Sequence, residues 1–120
     1  EKGSTRPVML MHNTDDPTAS VPDSVKPAMA KLVEETRAIS ARTKAKSTGP
    51  WTEVRIDRTN HGHFSDLTLI YKPDTTKLLS ARRAHEIINA YTLAFFDRHL
   101  RGKKDVVTPT FPEAKVEERP

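Results

Sequence analysis

The chain has 120 residues, with 20 Lys and Arg against 16 Asp and Glu, and a formal net charge of +4. That length holds at most one domain of ordinary size, and 35% hydrophobic with 6% aromatic content is thin for its core. The absence of cysteine excludes disulfides and thiolate metal sites, no apolar run reaches the ~18 residues of a membrane-spanning helix, and the basic residues are interspersed with acids in no recognisable nucleic-acid motif.

The sequence reads without a signal-peptide pattern in these residues. Glu1 as the first residue suggests a trimmed or cleaved start, which leaves compartment unassigned. Residues 1–6 are polar and read as a tail. Pro7-Val8-Met9-Leu10-Met11-His12 is a short apolar run closed by Asn13-Thr14-Asp15-Asp16-Pro17, the pattern of a strand buried on both faces in a parallel sheet. Ser20-Val21-Pro22-Asp23 is a helix start, and Pro27 is tolerable in a first turn. Val25, Ala28, Met29, Leu32, Val33 and Ile39 then follow helical spacing, until the helix fades near Thr43 before Ser47-Thr48-Gly49-Pro50.

Residues 51–57 alternate. Val54 and Ile56 face one way and Glu53, Arg55 and Asp57 the other, which predicts a strand with one wet face near a sheet edge. The loop "NHGHFSD" comes directly after it. Residues 67–79 are ambiguous, a helical turn or extended chain broken at Lys72-Pro73-Asp74. From Ser80 a second amphipathic helix is well marked by Ala84, Ile87, Ile88, Tyr91, Ala94 and Phe95, with Leu100 a further candidate, and Gly102 supplies its stop. Residues 103–120 are rich in proline and charge and read as a second tail, one that either reaches a companion chain or is disordered.

Strands alternating with helices of this length imply an α/β fold with a parallel sheet. Two strands do not make a stable sheet alone. Residues 7–102 therefore read as part of a domain whose remaining strands come from another chain or fragment.

His61 and His63, with His12 as a third ligand, could hold a catalytic zinc, although the spacing is no recognised metal signature. The other chemistry is acid–base. A general base needs an imidazole held by a carboxylate and placed beside a nucleophile. In α/β sheets such groups sit on loops at the carboxyl ends of strands. His61 lies just past the second strand, and Asp15 and Asp16 lie just past the first. If the strands are parallel neighbours, an acid and a histidine leave the sheet at one edge. The plain alternatives are that the acid only begins a turn and that His61 is a solvated loop residue.

"PVMLMHNTDDPTASVP" resembles the penultimate strand and acid turn of α/β-hydrolases, and "VRIDRTNHGHFSDLTLI" resembles their last strand and histidine loop. "INAYTLAFFDRHLRG" is similar to the terminal helix that closes that fold. The resemblance runs from about Arg6 to Gly102 and covers the C-terminal portion of such an enzyme. His-x-x-Phe-Ser-Asp is closest to platelet-activating-factor acetylhydrolase-like lipases, with dienelactone-hydrolase-like esterases nearby. The resemblance implies that His61 is the catalytic histidine, since Phe64 and Asp66 then keep their places in the motif, and that Asp16 is the acid. The glycine usual three residues before that acid is Asn13 here. In acetylhydrolases of this type the acid can instead follow an earlier strand, outside this chain.

No Gly-x-Ser-x-Gly occurs in the sequence, so the nucleophile elbow and its oxyanion-hole donors are absent. The implied protein is the C-terminal chain of a serine ester hydrolase acting on a short-chain or acetyl ester, lipid esters included, with no cofactor. Its nucleophilic serine belongs to a companion N-terminal chain, and transient contact with a lipid surface fits. Within the loop, Phe64 should pack beneath the turn, and Asp66 should cap the next turn or hold the loop; His63 takes no role. Two other readings stand beside this one: a small basic binding module without catalysis, and the histidine-ligated metal hydrolase.

Overall fold

A computed structural model describes residues 3–120, apart from the side chain of Ser20. The first two residues of the expected N-terminal tail fall outside that range. The architecture is mixed α/β: β1 (Val8–Asn13), α1 (Lys26–Lys46), β2 (Trp51–Ile56), the short α2 (Leu67–Ile70), α3 (Ala81–His99) and β3 (Ala114–Arg119), with 3-10 turns at Pro17–Ser20 and His61–Phe64. The three strands form one sheet in the order β1-β2-β3.

Two expectations change here. The stretch assigned no element after Gly102 supplies β3. Because β3 joins the sheet, β2 is its central strand and not a near-edge one. The pairing bonds give the directions. Val8 N–H donates to Pro50 C=O and Asp15 N–H to Thr59 C=O, each at 3.0 Å, so β1 and β2 run parallel as expected. Asp57 N–H donates to Glu113 C=O at 2.7 Å, and Thr52 Oγ1 meets Glu118 Oε1 at 3.5 Å. Ascending residues face descending ones, so β3 is antiparallel to β2.

The chain divides into two compact units. The first holds Asp16–Thr52 with the chain up to Leu10 and Glu118–Pro120. Its helix α1 starts at Lys26, later than the Ser20–Asp23 start the sequence suggests, because Pro27 lies in the first turn, where its missing N–H costs nothing. Ser47 ends the helix by donating its hydroxyl to Thr43 C=O at 2.7 Å. Of the expected apolar stripe Val25, Leu32 and Ile39 are exposed and Met29 and Val33 half-buried, so the stripe is only partly covered. Trp51 has Lys44 Nζ at 4.9 Å and the Arg119 guanidinium at 5.9 Å from its ring centre, both within cation–π range.

The second unit holds Met11–Asp15 and Glu53–Glu117. Its core is Val54, Ile56, Leu79, Ala84, Ile87 and Tyr91, against which Met11, Phe64, Ile88, Phe111 and Ala114 pack. Ser80 caps α3 by accepting the Arg83 N–H at 3.2 Å, which satisfies one of the orphan donors of the first turn. Ala84, Ile87 and Tyr91 face inward as the period of the sequence predicts, whereas Leu100 is 76% exposed. Gly102, at φ 65, takes the left-handed conformation that turns the chain away from the helix.

Candidate functional site

Where β1 ends, Thr14 and Asp15 tie its turn to the end of β2. Thr14 Oγ1 accepts from Arg58 N–H at 3.1 Å and donates to Ile56 C=O at 3.4 Å. Asp15 N–H donates to Thr59 C=O at 3.0 Å, and Asn13 Nδ2 donates to Asp15 C=O at 3.3 Å. Thr59, fully buried, turns its hydroxyl back to Ile56 C=O at 2.6 Å. Arg58 sits between these bonds at φ 55, a left-handed conformation costly for a residue with a long side chain. The surrounding bonds hold it there, three residues before His61.

His61 opens the 3-10 turn and is exposed. His63, two residues on, is fully buried. Its Nδ1 accepts from Asn60 N–H at 3.1 Å, and its Nε2 lies 3.0 Å from Leu79 C=O. Phe64 packs against the core, the role the sequence suggests. Asp66 occupies the cap position of α2 without making a side-chain capping bond. Ser65 does that work instead. Its hydroxyl donates to Gly62 C=O at 2.9 Å and accepts from Leu67 N–H at 3.4 Å, and its carbonyl meets His85 Nε2 at 3.2 Å. Just beyond the turn, Leu67, Leu69, Ile70 and Tyr71 are all more than half exposed.

Asp16 belongs to the first unit, His61 to the second. The Asp16 carboxylate accepts from Thr18 N–H at 2.9 Å and from the Thr18 hydroxyl at 2.8 Å. Those two bonds hold its acid below the usual carboxylate range. In its own unit Asp16 is thus a turn cap for Pro17–Ser20, the plainer of the two roles the sequence allows. The acid that shares a unit with His61 is Asp15, joined to the His61 strand through its backbone.

The third histidine, His12, pairs with Glu53 at 3.2 Å. Glu53 is buried although the alternation of β2 predicts a wet face, and it also takes Arg55 NH2 at 3.2 Å. The predicted wet face is kept at Arg55, which is exposed, and lost at Glu53, where His12 and Arg55 offset the cost of burying the carboxylate. Among the described residues no group of three or more His, Asp or Glu is placed to hold a metal ion, so the set His12, His61 and His63 is not assembled as ligands. Thr14, Asn60 and Arg58, which organise the turn, carry no sequence signal beyond being common turn residues or a surface base.

No protein family, no characterised protein and no solved structure matches the chain.

Proposed function

We propose that this chain is the C-terminal part of an α/β-hydrolase-like serine esterase, supplying the general base His61 to a nucleophilic serine carried by a companion chain or fragment. The observation that carries this reading is the parallel β1–β2 pair whose carboxyl-end turns, the acid turn and the histidine turn, are laced together through Thr14 and Asp15. Catalytic groups of α/β sheets collect at that edge.

In this mechanism His61 Nε2 takes the proton from the companion's serine as the hydroxyl attacks the ester carbonyl. The same proton then goes to the leaving alcohol, and a water repeats the sequence to release the acid. Backbone donors on the companion stabilise the oxyanion. By resemblance the triad acid is Asp16, and Asp15 is the rival because it shares a unit with His61; the two asparagine variants decide between them. No metal or organic cofactor takes part. The substrate class is a short-chain or acetyl ester, including lipid esters. The exposed residues Leu67, Leu69, Ile70 and Tyr71 beside the turn support a covering partner, since patches of this kind mark interaction surfaces.

Native mass spectrometry of the purified protein, followed by turnover of p-nitrophenyl acetate, tests the proposal. A companion containing Gly-x-Ser-x-Gly, with turnover abolished by His61→Ala, is the expected result. A lone, monomeric, cooperatively folded chain without esterase activity overturns it.

A further inference from the structure

His63 is the histidine of the loop to which the sequence assigns no role, and it is the one whose surroundings are most fully determined. Both of its ring nitrogens are engaged in the interior. Leu79 C=O can only accept, so Nε2, 3.0 Å away, carries the proton and donates to it. Asn60 N–H can only donate, so Nδ1, 3.1 Å away, offers its lone pair. Asn60 Oδ1 also lies 2.9 Å from Nδ1; with the amide turned the other way, a choice its outline leaves open, the NH2 group would donate to that nitrogen. The backbone partners on the two sides, Asn60 N–H and Leu79 C=O, match the Nε2–H tautomer.

These two bonds join distant parts of the chain. Leu79 N–H donates to Arg58 C=O at 2.7 Å, so Leu79 is gripped on one side by the strained residue just past β2 and on the other by the imidazole inside the histidine turn. The turn itself is closed by His63 N–H to Asn60 C=O and Ser65 N–H to Gly62 C=O, both at 3.1 Å. It is also filled. A Cβ on Gly62 would stand 3.3 Å from the Asn60 side chain and 3.4 Å from Thr68 Cγ2. His61 is thus an exposed ring on a turn of four residues whose interior is a single buried imidazole.

We propose that His63 is the positioning residue of this turn: its doubly bonded neutral imidazole bolts residues 60–63 to the segment entering α3 and so sets where the His61 ring stands at the carboxyl edge of the sheet. The catalytic consequence rests on the esterase reading, whereas the positioning itself does not. A base misplaced by ~1 Å can lose on the order of 10²-fold in rate, so the geometry of an exposed His61 has to come from something rigid beneath it.

The test compares the wild-type protein, in whatever assembly it purifies, with His63→Gln and His63→Leu. Glutamine keeps a donor for Leu79 C=O and loses the acceptor for Asn60 N–H; leucine fills space and loses both. Long-range proton–nitrogen correlation of the histidine rings should show His63 as Nε2–H with an unprotonated Nδ1. Hydrogen exchange at the amides of Asn60, His63 and Ser65 should accelerate at least ~10-fold in His63→Gln and further in His63→Leu, with shifts in the ring signals of His61. In ester turnover kcat should fall in the same order, roughly 10- to 100-fold, with KM held. If His63→Leu does not fold, the glutamine variant decides alone. A protonated or Nδ1–H ring in the wild type, or variants that lose global stability while the turn amides and the His61 ring keep wild-type exchange and shifts, overturns the proposal. A wild-type protein with no esterase activity defeats the enzymatic reading only, because tautomer and exchange still decide the positioning.

Discussion

Arg83 and Glu113 meet in a two-pronged ion pair: Nε donates to Oε1 and NH2 to Oε2, each at 3.0 Å. The pair joins the first turn of α3 to the residue before β3, and the Arg83 guanidinium also lies 5.1 Å from the Phe111 ring centre. Parallel fork-on-fork bonds of this kind are the stronger form of ion pair. They explain how a charged, proline-rich stretch comes to contribute a strand. Arg83 anchors it, and the edge of Phe111 against Tyr91, with centroids 5.8 Å apart, adds apolar contact.

Replacing Glu113 should therefore loosen β3. The hydrogen bonds from Arg83 hold the Glu113 acid below its ordinary range. A lowered acid stabilises the fold while ionised, so its contribution is present above the ordinary carboxylate range and is lost as pH falls through the folded-state value. Glu113→Gln should lower Tm at neutral pH and flatten the acid limb of a plot of Tm against pH. A variant with an unchanged acid limb would show that the pair does not contribute.

Ile87 is fully buried at the centre of the core with Val54 and Ile56. Ile87→Ala should cost about 2–5 kcal/mol, the usual range for truncating a buried aliphatic chain that leaves a cavity. Urea unfolding followed by circular dichroism measures it, and a loss under about 1 kcal/mol would mean that the core closes over the gap.

Ser80 caps α3 through Arg83 N–H. Ser80→Ala should cost about 0.5–2 kcal/mol, while Ser80→Asp should hold or raise stability, because an acceptor and a negative charge both suit a helix start. The same urea titration separates the two variants.

His61 is exposed and makes no bond that the fold depends on, so His61→Ala should leave stability within about 0.5 kcal/mol of wild type, as for an ordinary surface substitution. Ester turnover in the assembled protein should fall by roughly 10²–10⁴-fold, the range expected on removing a general base. Asp16→Asn and Asp15→Asn belong in the same experiment. The catalytic acid's variant loses turnover at constant stability. Loss of a turn cap at Asp16 instead lowers Tm and leaves turnover intact.

The places of the two turns are within reach of the sequence, and the arrangement of side chains inside them is not. His61 and the acid turn are legible because a strand ending in turn residues is a local pattern. That Ser65 takes the bonds expected of Asp66 and that His63 fills the turn are not legible, since each depends on which side chain points inward. A four-residue 3-10 turn has no periodicity long enough to reveal that.

The sequence by itself determined the elements whose rules act over a turn or two. The 3.6-residue stripe and Ser80 cap placed α3, Gly102 placed its exit, an apolar run placed β1 and alternation placed β2. Tertiary structure alone decided that residues 114–119 pair with β2, that β2 is therefore central, and that Glu53 is buried beside His12 and Arg55. The physical reason is range. Capping and periodicity are settled by neighbours along the chain, whereas strand pairing and burial are settled by groups such as Asp57 and Glu113, or Arg83 and Glu113, that only the fold brings together.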